Sequence, residues 1–296
     1  MTARHFRQMT TVICLFCAAT SLASAQGPSR RYRPAPEYVQ LGKPDQAQGK
    51  AVLEEFRKTG MYAGECYLEF ELRVMPRRGD ERIVPGRAWS GHNGRGPITR
   101  IVVAPGVVGV ERRVLVQIGP QSAAWGWRSG AAAEPAPLSM AGLFERLADT
   151  DVTVFDLQMP FLYWNDFVFE GVSKVRGRPA HTFLMYPPAE VTAEQPDLTG
   201  IRVYLDTQYH KPVQAEHLGP DGKVVKSFSV VDLKKIGEQW IVKSIDFRDE
   251  ATRNKSRFSV TGAAVDLDFP AGLFEPGMLK ELIHPPPTDR IQKIAP

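Results

Sequence analysis

From Glu65 to Val74 the side chains alternate without a break. Cys66, Leu68, Phe70, Leu72 and Val74 fall on one face, and Glu65, Tyr67, Glu69, Glu71 and Arg73 on the other. A strict period of two over this length is a β-strand, and an apolar face backed by charge belongs to a half-buried strand of an antiparallel sheet. Shorter runs follow at 98–103, 110–118 and 123–128, each closed by turn residues. In 110–118, Val110, Val114, Val116 and Ile118 oppose Glu111, Arg113 and Gln117. Strands resume at 167–175, 180–186, 200–205, 213–218, 224–233, 240–247 and 257–265. The turns Gly219-Pro220-Asp221-Gly222-Lys223 and Ile236-Gly237-Glu238-Gln239 join neighbours as hairpins.

Helical signals are few. Asp45 caps a segment carrying Val52 and Phe56 one turn apart before Gly60, and Ser139 caps one in which Met140, Leu143, Phe144 and Leu147 share a face. Residues 152–164 (VTVFDLQMPFLYW) are apolar without any period and are interrupted by Pro160. The economical architecture is mainly β with helices: an incomplete, open antiparallel barrel of about ten or eleven strands with helices packed on one side.

The ends have a different character. Arg4, His5 and Arg7 precede an apolar run over 12–22 and then Ala23-Ser24-Ala25, the three parts of a secretory signal peptide cleaved after Ala25. Residues 26–44 are rich in Pro and Arg and read as a disordered arm. This leaves an ordered domain over 45–283 and a flexible tail over 284–296 behind Pro285-Pro286-Pro287. An exported protein of the periplasm is expected. The chain is 43% hydrophobic, enough for a core, which excludes disorder for most of its length. Its net charge of +4 is halved when Arg4 and Arg7 leave with the signal, so a nucleic-acid partner is not indicated. Two of the three cysteines leave as well, and Cys66 then has no disulfide partner.

Catalytic and metal chemistry find no support in the motifs. His92, His181, His210, His217 and His284 are not spaced as zinc ligands. Cys66 lies among the inward positions of the best strand and reads as a buried thiol. There is no Gly-x-Ser-x-Gly elbow, and Gly91-His-Asn-Gly-Arg-Gly96 lacks the following helix of a phosphate-binding loop. Asp246, Asp249, Glu250, Asp266 and Asp268 read as solvated strand-end carboxylates. Arg77, Arg78, Arg82, Arg87, Arg95 and Arg100 form a loose basic stretch. It reads either as a solvated sheet face or as a contact for an anionic headgroup or membrane surface. No enzyme, metal or cofactor is expected.

The order of pieces in the second half resembles the outer-membrane lipoprotein-sorting (LolA/LolB-like) superfamily. Asp156-Leu-Gln-Met-Pro-Phe-Leu-Tyr-Trp164 leads in, followed by Gly171-Val-Ser-Lys-Val-Arg-Gly177 and His181-Thr-Phe-Leu-Met185. Then come Gly200-Ile-Arg-Val-Tyr-Leu-Asp206, Lys211-Pro-Val-Gln-Ala-Glu216, Asp221-Gly-Lys223, Lys226-Ser-Phe228, Trp240-Ile-Val242 and Leu273-Phe274 with Leu279. The resemblance spans residues 50–282 and is strongest after 150. It implies a half-barrel whose helices act as a lid over an apolar cavity for the acyl chains of lipoproteins or other lipids. It also implies envelope transport proteins as partners and peripheral membrane contact. On this reading Leu68, Phe70, Leu72, Val114, Val116, Val203 and Leu205 line the cavity. Phe155, Leu157, Phe161, Leu162 and Trp164, with Met159 and Tyr163, form the lid. The same apolar faces are also compatible with a filled core, and the protein would then be a structural or adaptor module of an envelope transport complex.

Overall fold

The computed structural model describes residues 43–59, 64–104, 110–130 and 133–295. The expected signal peptide and nearly all of the arm lie outside the described residues. The chain opens with helix α1 (Gln46–Thr59), capped by Asp45, whose Oδ1 accepts from the Ala47 and Gln48 amides at 2.9 and 3.3 Å. Its buried face carries Leu53 and Phe56. A first meander follows: β1 (Cys66–Met75), β2 (Arg82–Asn93), β3 (Gly96–Val103), β4 (Arg112–Gln117), β5 (Ala123–Arg128) and β6 (Ala136–Pro137). Next come helices α2 (Met140–Phe144) and α3 (Val154–Gln158) and a 3-10 turn over Pro160–Tyr163. The second meander holds β7 (Phe167–Val175), β8 (Arg178–Met185), helix α4 (Ala189–Glu194), β9 (Gly200–Asp206), β10 (Pro212–Leu218), β11 (Val224–Ile236), β12 (Gln239–Asp249) and β13 (Lys255–Val265). β14 (Gln292–Lys293) ends the series.

These strands form one antiparallel sheet in the order β6-β5-β4-β3-β2-β1-β13-β12-β11-β10-β9-β8-β7, with β14 added onto β13. Only the β1–β13 pairing joins strands distant in sequence, with Leu68 opposite Ala263 and Leu72 opposite Phe258. The two meanders therefore meet at their sheet centre, and β6 and β7 are left as the two edges. The sheet is not closed. The segment between β6 and β7 must run from one edge to the other, and this connectivity lays α2, α3 and the Pro160–Tyr163 turn over the concave face.

The mainly β, open-sheet architecture is as the sequence indicates, but the described residues hold fourteen strands rather than ten or eleven. β2 is the main omission: Pro85, Gly86 and Gly91 interrupt the apolar alternation along it. The packing explains one of them: a Cβ on Gly86 would lie 2.3 Å from Cζ of Phe70, so the Phe70 ring occupies the space of the missing side chain. The stretch expected as a loose tail carries β14, and Ile291 and Ile294 are buried.

The convex face also differs from expectation near β3 and β4. Arg113 and Gln117 point away from the concave side yet are buried, as is Arg100 at 1% exposure. Gln117 accepts from Asn93 and donates to the Pro97 carbonyl, while Arg100 and Arg113 are covered by 3-10 turns over Ala271–Phe274 and Pro276–Lys280. Arg100 donates to the carbonyls of Met278 (2.8 Å) and Glu281 (2.6 Å), and Arg113 to those of Leu279 and Glu281 (both 2.9 Å). Burial, and then the neighbouring Arg113 charge, pull the Arg100 guanidinium down to about 10. Arg100 is thus neither solvated nor free for an anionic headgroup. It is a clamp on the turn over Pro276–Lys280 and on Glu281 behind it.

Candidate functional site

The register assembles the concave wall row by row. Leu72 faces Val84, Phe70 faces Gly86 and then Val103, Leu68 faces Ala88 and then Ile101, and Ser90 faces Thr99 and then Val116. On the other side β13 contributes Phe258 and β12 contributes Ile245 and Phe247. Between this wall and the segment above it lies a cavity of about 170 Å³, roofed by Leu147, Val152 and Leu157. Ile118 completes it at the end of β4. Every lining residue but Ser90 and Thr99 is apolar.

The roof is held by polar contacts set into an apolar stretch. Thr153 caps α3 and Asp156 closes the capping box, so the helix starts with its first amides satisfied. Met159 ends it in the left-handed region at φ 48°, and Pro160 starts the next turn. Asp156, whose side chain is 1% exposed, accepts from Thr153 and from the ammonium of Lys226 on β11. Burial pushes the Asp156 carboxyl upward, but Lys226, His217 and Thr153 outweigh it and hold it below the usual carboxylate range. His217 on β10 is the cross-strand neighbour of Lys226, with Nε2 at 3.7 Å from Asp156 and edge-on to the rings of Phe155 and Phe161. Burial pushes His217 down to about 4; the pull of Asp156 is too weak to offset this, and Lys226 adds to it. At neutral pH His217 is therefore uncharged, and its contact with Asp156 is not an ion pair. From the other side Arg57 of α1 donates to the carbonyls of Leu162 (2.9 Å) and Trp164 (2.6 Å). Asp151 is bound to Ser256 of β13 at 2.8 Å.

Of the residues singled out from sequence, Leu68, Phe70, Leu72, Val116 and Leu157 line the cavity. Val114 is fully buried beside it without lining it. Phe155, Phe161, Leu162 and Trp164 belong with Val203, Leu205, Leu53 and Phe56 to the packed core, and Phe155 and Phe161 lie against His217 of β10. These are packed side chains and do not face the cavity: Phe155 stacks on Phe144 at 4.3 Å, and Phe161 meets Trp164 edge to face. Half of the concave face is therefore filled, and the space lies over the first meander, β12 and β13. Sequence reading missed Ser90, Thr99, Ile101, Phe247 and Phe258 as lining, and Lys226 and His217 as roof contacts. The inward phase of β10, with Ala215 and His217 two apart, was the available signal for His217. Cys66 is buried and free; burial pushes its thiol up to about 11, which leaves it an unreactive group. Among the described residues no three His, Cys, Asp or Glu side chains group as metal ligands.

The comparisons with known proteins follow this geometry. A family model with the description "-like: Uncharacterized protein" matches residues 130–281, just over half of the chain. The chain belongs to that family. No curated protein matches it. Among solved structures it is similar to a DUF1329 family protein from Desulfovibrio piger (15% identity, TM-score 0.65), covering 79% of this chain and 99% of that one. An outer membrane lipoprotein-sorting protein domain from Vibrio parahaemolyticus gives 14% identity and a TM-score of 0.66 with the same coverage. A LolA superfamily protein from Nitrosomonas europaea gives 14% and 0.56, covering 76% of this chain and 96% of that one. The fold is thus shared with these lipoprotein-sorting structures, an open antiparallel sheet as the sequence resemblance implies. No helix among the described residues is long and apolar enough to cross a membrane.

Proposed function

We propose that the protein is an exported carrier or receptor that takes the acyl chain of a lipoprotein or other lipid between the concave sheet and the segment over residues 147–164. The observation that carries this reading is the apolar cavity under that segment. A folded domain ordinarily fills its interior to crystal-like density, and an apolar void costs stability unless something occupies it. A cavity of about 150 Å³ holds one benzene ring, so the present space takes a short stretch of chain. A longer chain needs the roof to lift at Leu147, Val152 and Leu157. Each methylene buried returns about 0.8 kcal/mol, which offsets the loss of roof contacts as the chain enters. No covalent step is needed, so the reading requires neither catalytic residue nor cofactor. The fold shared with lipoprotein-sorting structures supports the same reading.

The test is native mass spectrometry with lipid extraction on protein purified gently from its host envelope, together with uptake of a fluorescent fatty acid. A stoichiometric acylated species that is lost in Leu157→Asp, with the circular dichroism of the wild type retained, is expected. Phe161 is unsuited to the same substitution, since it is fully buried in the packed half. A clean apo mass with no probe uptake would sink the carrier reading and leave the filled-core adaptor.

A further inference from the structure

Ser90 and Thr99 stand apart from the rest of the cavity wall. They are cross-strand partners on β2 and β3, their hydroxyl oxygens are 3.1 Å apart, and both line the cavity. They sit at the end of the wall nearest the β2–β3 turn, with Ile118 beyond them and the all-apolar rows of Leu68, Phe70 and Leu72 leading away. Cys66 is the cross-strand neighbour of Ser90 on its other side. Each hydroxyl has one hydrogen and two acceptor sites. The link between Ser90 and Thr99 uses one of their two hydrogens. Beyond that link, one hydroxyl hydrogen and several acceptor sites stand at a wall whose other side chains offer none.

We infer that Ser90 and Thr99 form the polar end of the cavity and select a ligand whose apolar chain carries an oxygen function, a carbonyl or a hydroxyl, over a bare hydrocarbon. This rests on the carrier reading and deepens it: the oxygen function seats against Ser90 and Thr99 while the chain lies along Leu68, Phe70 and Leu72. A polar pair in an apolar wall discriminates because a ligand without a partner atom leaves the hydroxyls unmatched and desolvated.

The test uses two probes of the cavity's own size, toluene and benzyl alcohol, which differ at the tip by a hydroxyl. Dissociation constants are measured by ligand-observed NMR on the full protein, alongside displacement of the fluorescent fatty acid. In the Ser90→Ala/Thr99→Val variant the preference for benzyl alcohol relative to toluene is expected to fall about tenfold, the worth of one hydrogen bond. Thr99→Ser, which keeps the hydroxyl, should retain the wild-type ratio and serves if the double variant folds poorly. If both probes bind and the ratio is unmoved in Ser90→Ala/Thr99→Val, the polar end is refuted while the carrier reading stands. If the wild type binds neither probe nor the fatty acid, the carrier reading itself fails and this inference falls with it.

Discussion

Asp156 sits within a run of Val, Phe, Leu and Met, and its carboxylate survives there because Lys226 and the Thr153 cap surround it. A charge this deeply buried is tolerated only while it is paired, and removing one partner costs more than the pair contributes. Lys226→Met should therefore destabilise the protein by about 3–5 kcal/mol, read from the urea midpoint. Asp156→Asn in the same chain should recover much of the loss, since the orphaned charge goes with it. His217 adds a pH dependence of definite sign. Its native value near 4 lies below the ordinary 6.5, so the unfolded chain binds the proton that the folded chain refuses. Stability should be intact above pH 6.5 and fall as the pH drops toward 4, by on the order of 3 kcal/mol. Asp156, held below its ordinary 3.8, adds a further loss only in more acid solution. Thermal melts across this range should show the fall from pH 6.5 to 4 in the wild type and a clearly smaller one in His217→Phe, whose ring keeps the edge contacts with Phe155 and Phe161 and which leaves only the part due to the partly buried His181, likewise held below its ordinary value by burial.

At the level of elements, what could be read from the sequence is what local chemistry decides. β1 was legible because one face is apolar and the other charged, and the starts of α1 and α2 because Asp45 and Ser139 are capping residues in front of helix formers; α3 was not read, because its Thr153 cap stands inside an apolar run without a period. β2 was not, since Gly86 makes sense only once Phe70 is seen lying over it, and Phe70 belongs to another strand. The buried outer face of β4 was equally hidden: Arg113 looks solvated until the carbonyls of Leu279 and Glu281 arrive from far along the chain. The same limit applied to the site. The five named residues that line the cavity come from strand alternation and one apolar segment, whereas separating Leu157 from Phe161 required the packing of the segment on the sheet. The segment over the sheet behaves as one element with two tethers, Lys226 at its start and Arg57 at its end. Arg57→Met removes two charge-assisted bonds to the Leu162 and Trp164 carbonyls. Amide exchange at Leu162 and Trp164 should then speed up at least about tenfold, while the β1 and β13 amides exchange as before. Equal acceleration at all these amides would instead mean that Arg57 supports the whole fold.

For the molecule as a whole, the decisive fact is that the two meanders join at their centre through β1 and β13 and leave β6 and β7 as open edges. The connection between those edges is obliged to cross the concave face, so a roof follows from topology before any side chain is considered. The side chains then divide the space unequally. Phe155, Phe161, Leu162 and Trp164 are packed into the core, while over the first meander, β12 and β13 only Leu147, Val152 and Leu157 stand above the wall, and the cavity remains beneath them. Leu157 is the half-buried member of that trio, so its size should set how much the cavity holds without deciding whether the chain folds. Leu157→Ala should enlarge the space and raise affinity for the fluorescent fatty acid, at a stability cost below the ~2–5 kcal/mol of a fully buried Leu→Ala change. Leu157→Trp should fill it and abolish uptake with the melting temperature little changed. Opposite responses of binding to these two substitutions, at similar fold stability, are what a roof over a functional cavity requires. A core residue would instead lose stability in both directions and leave probe uptake unmoved.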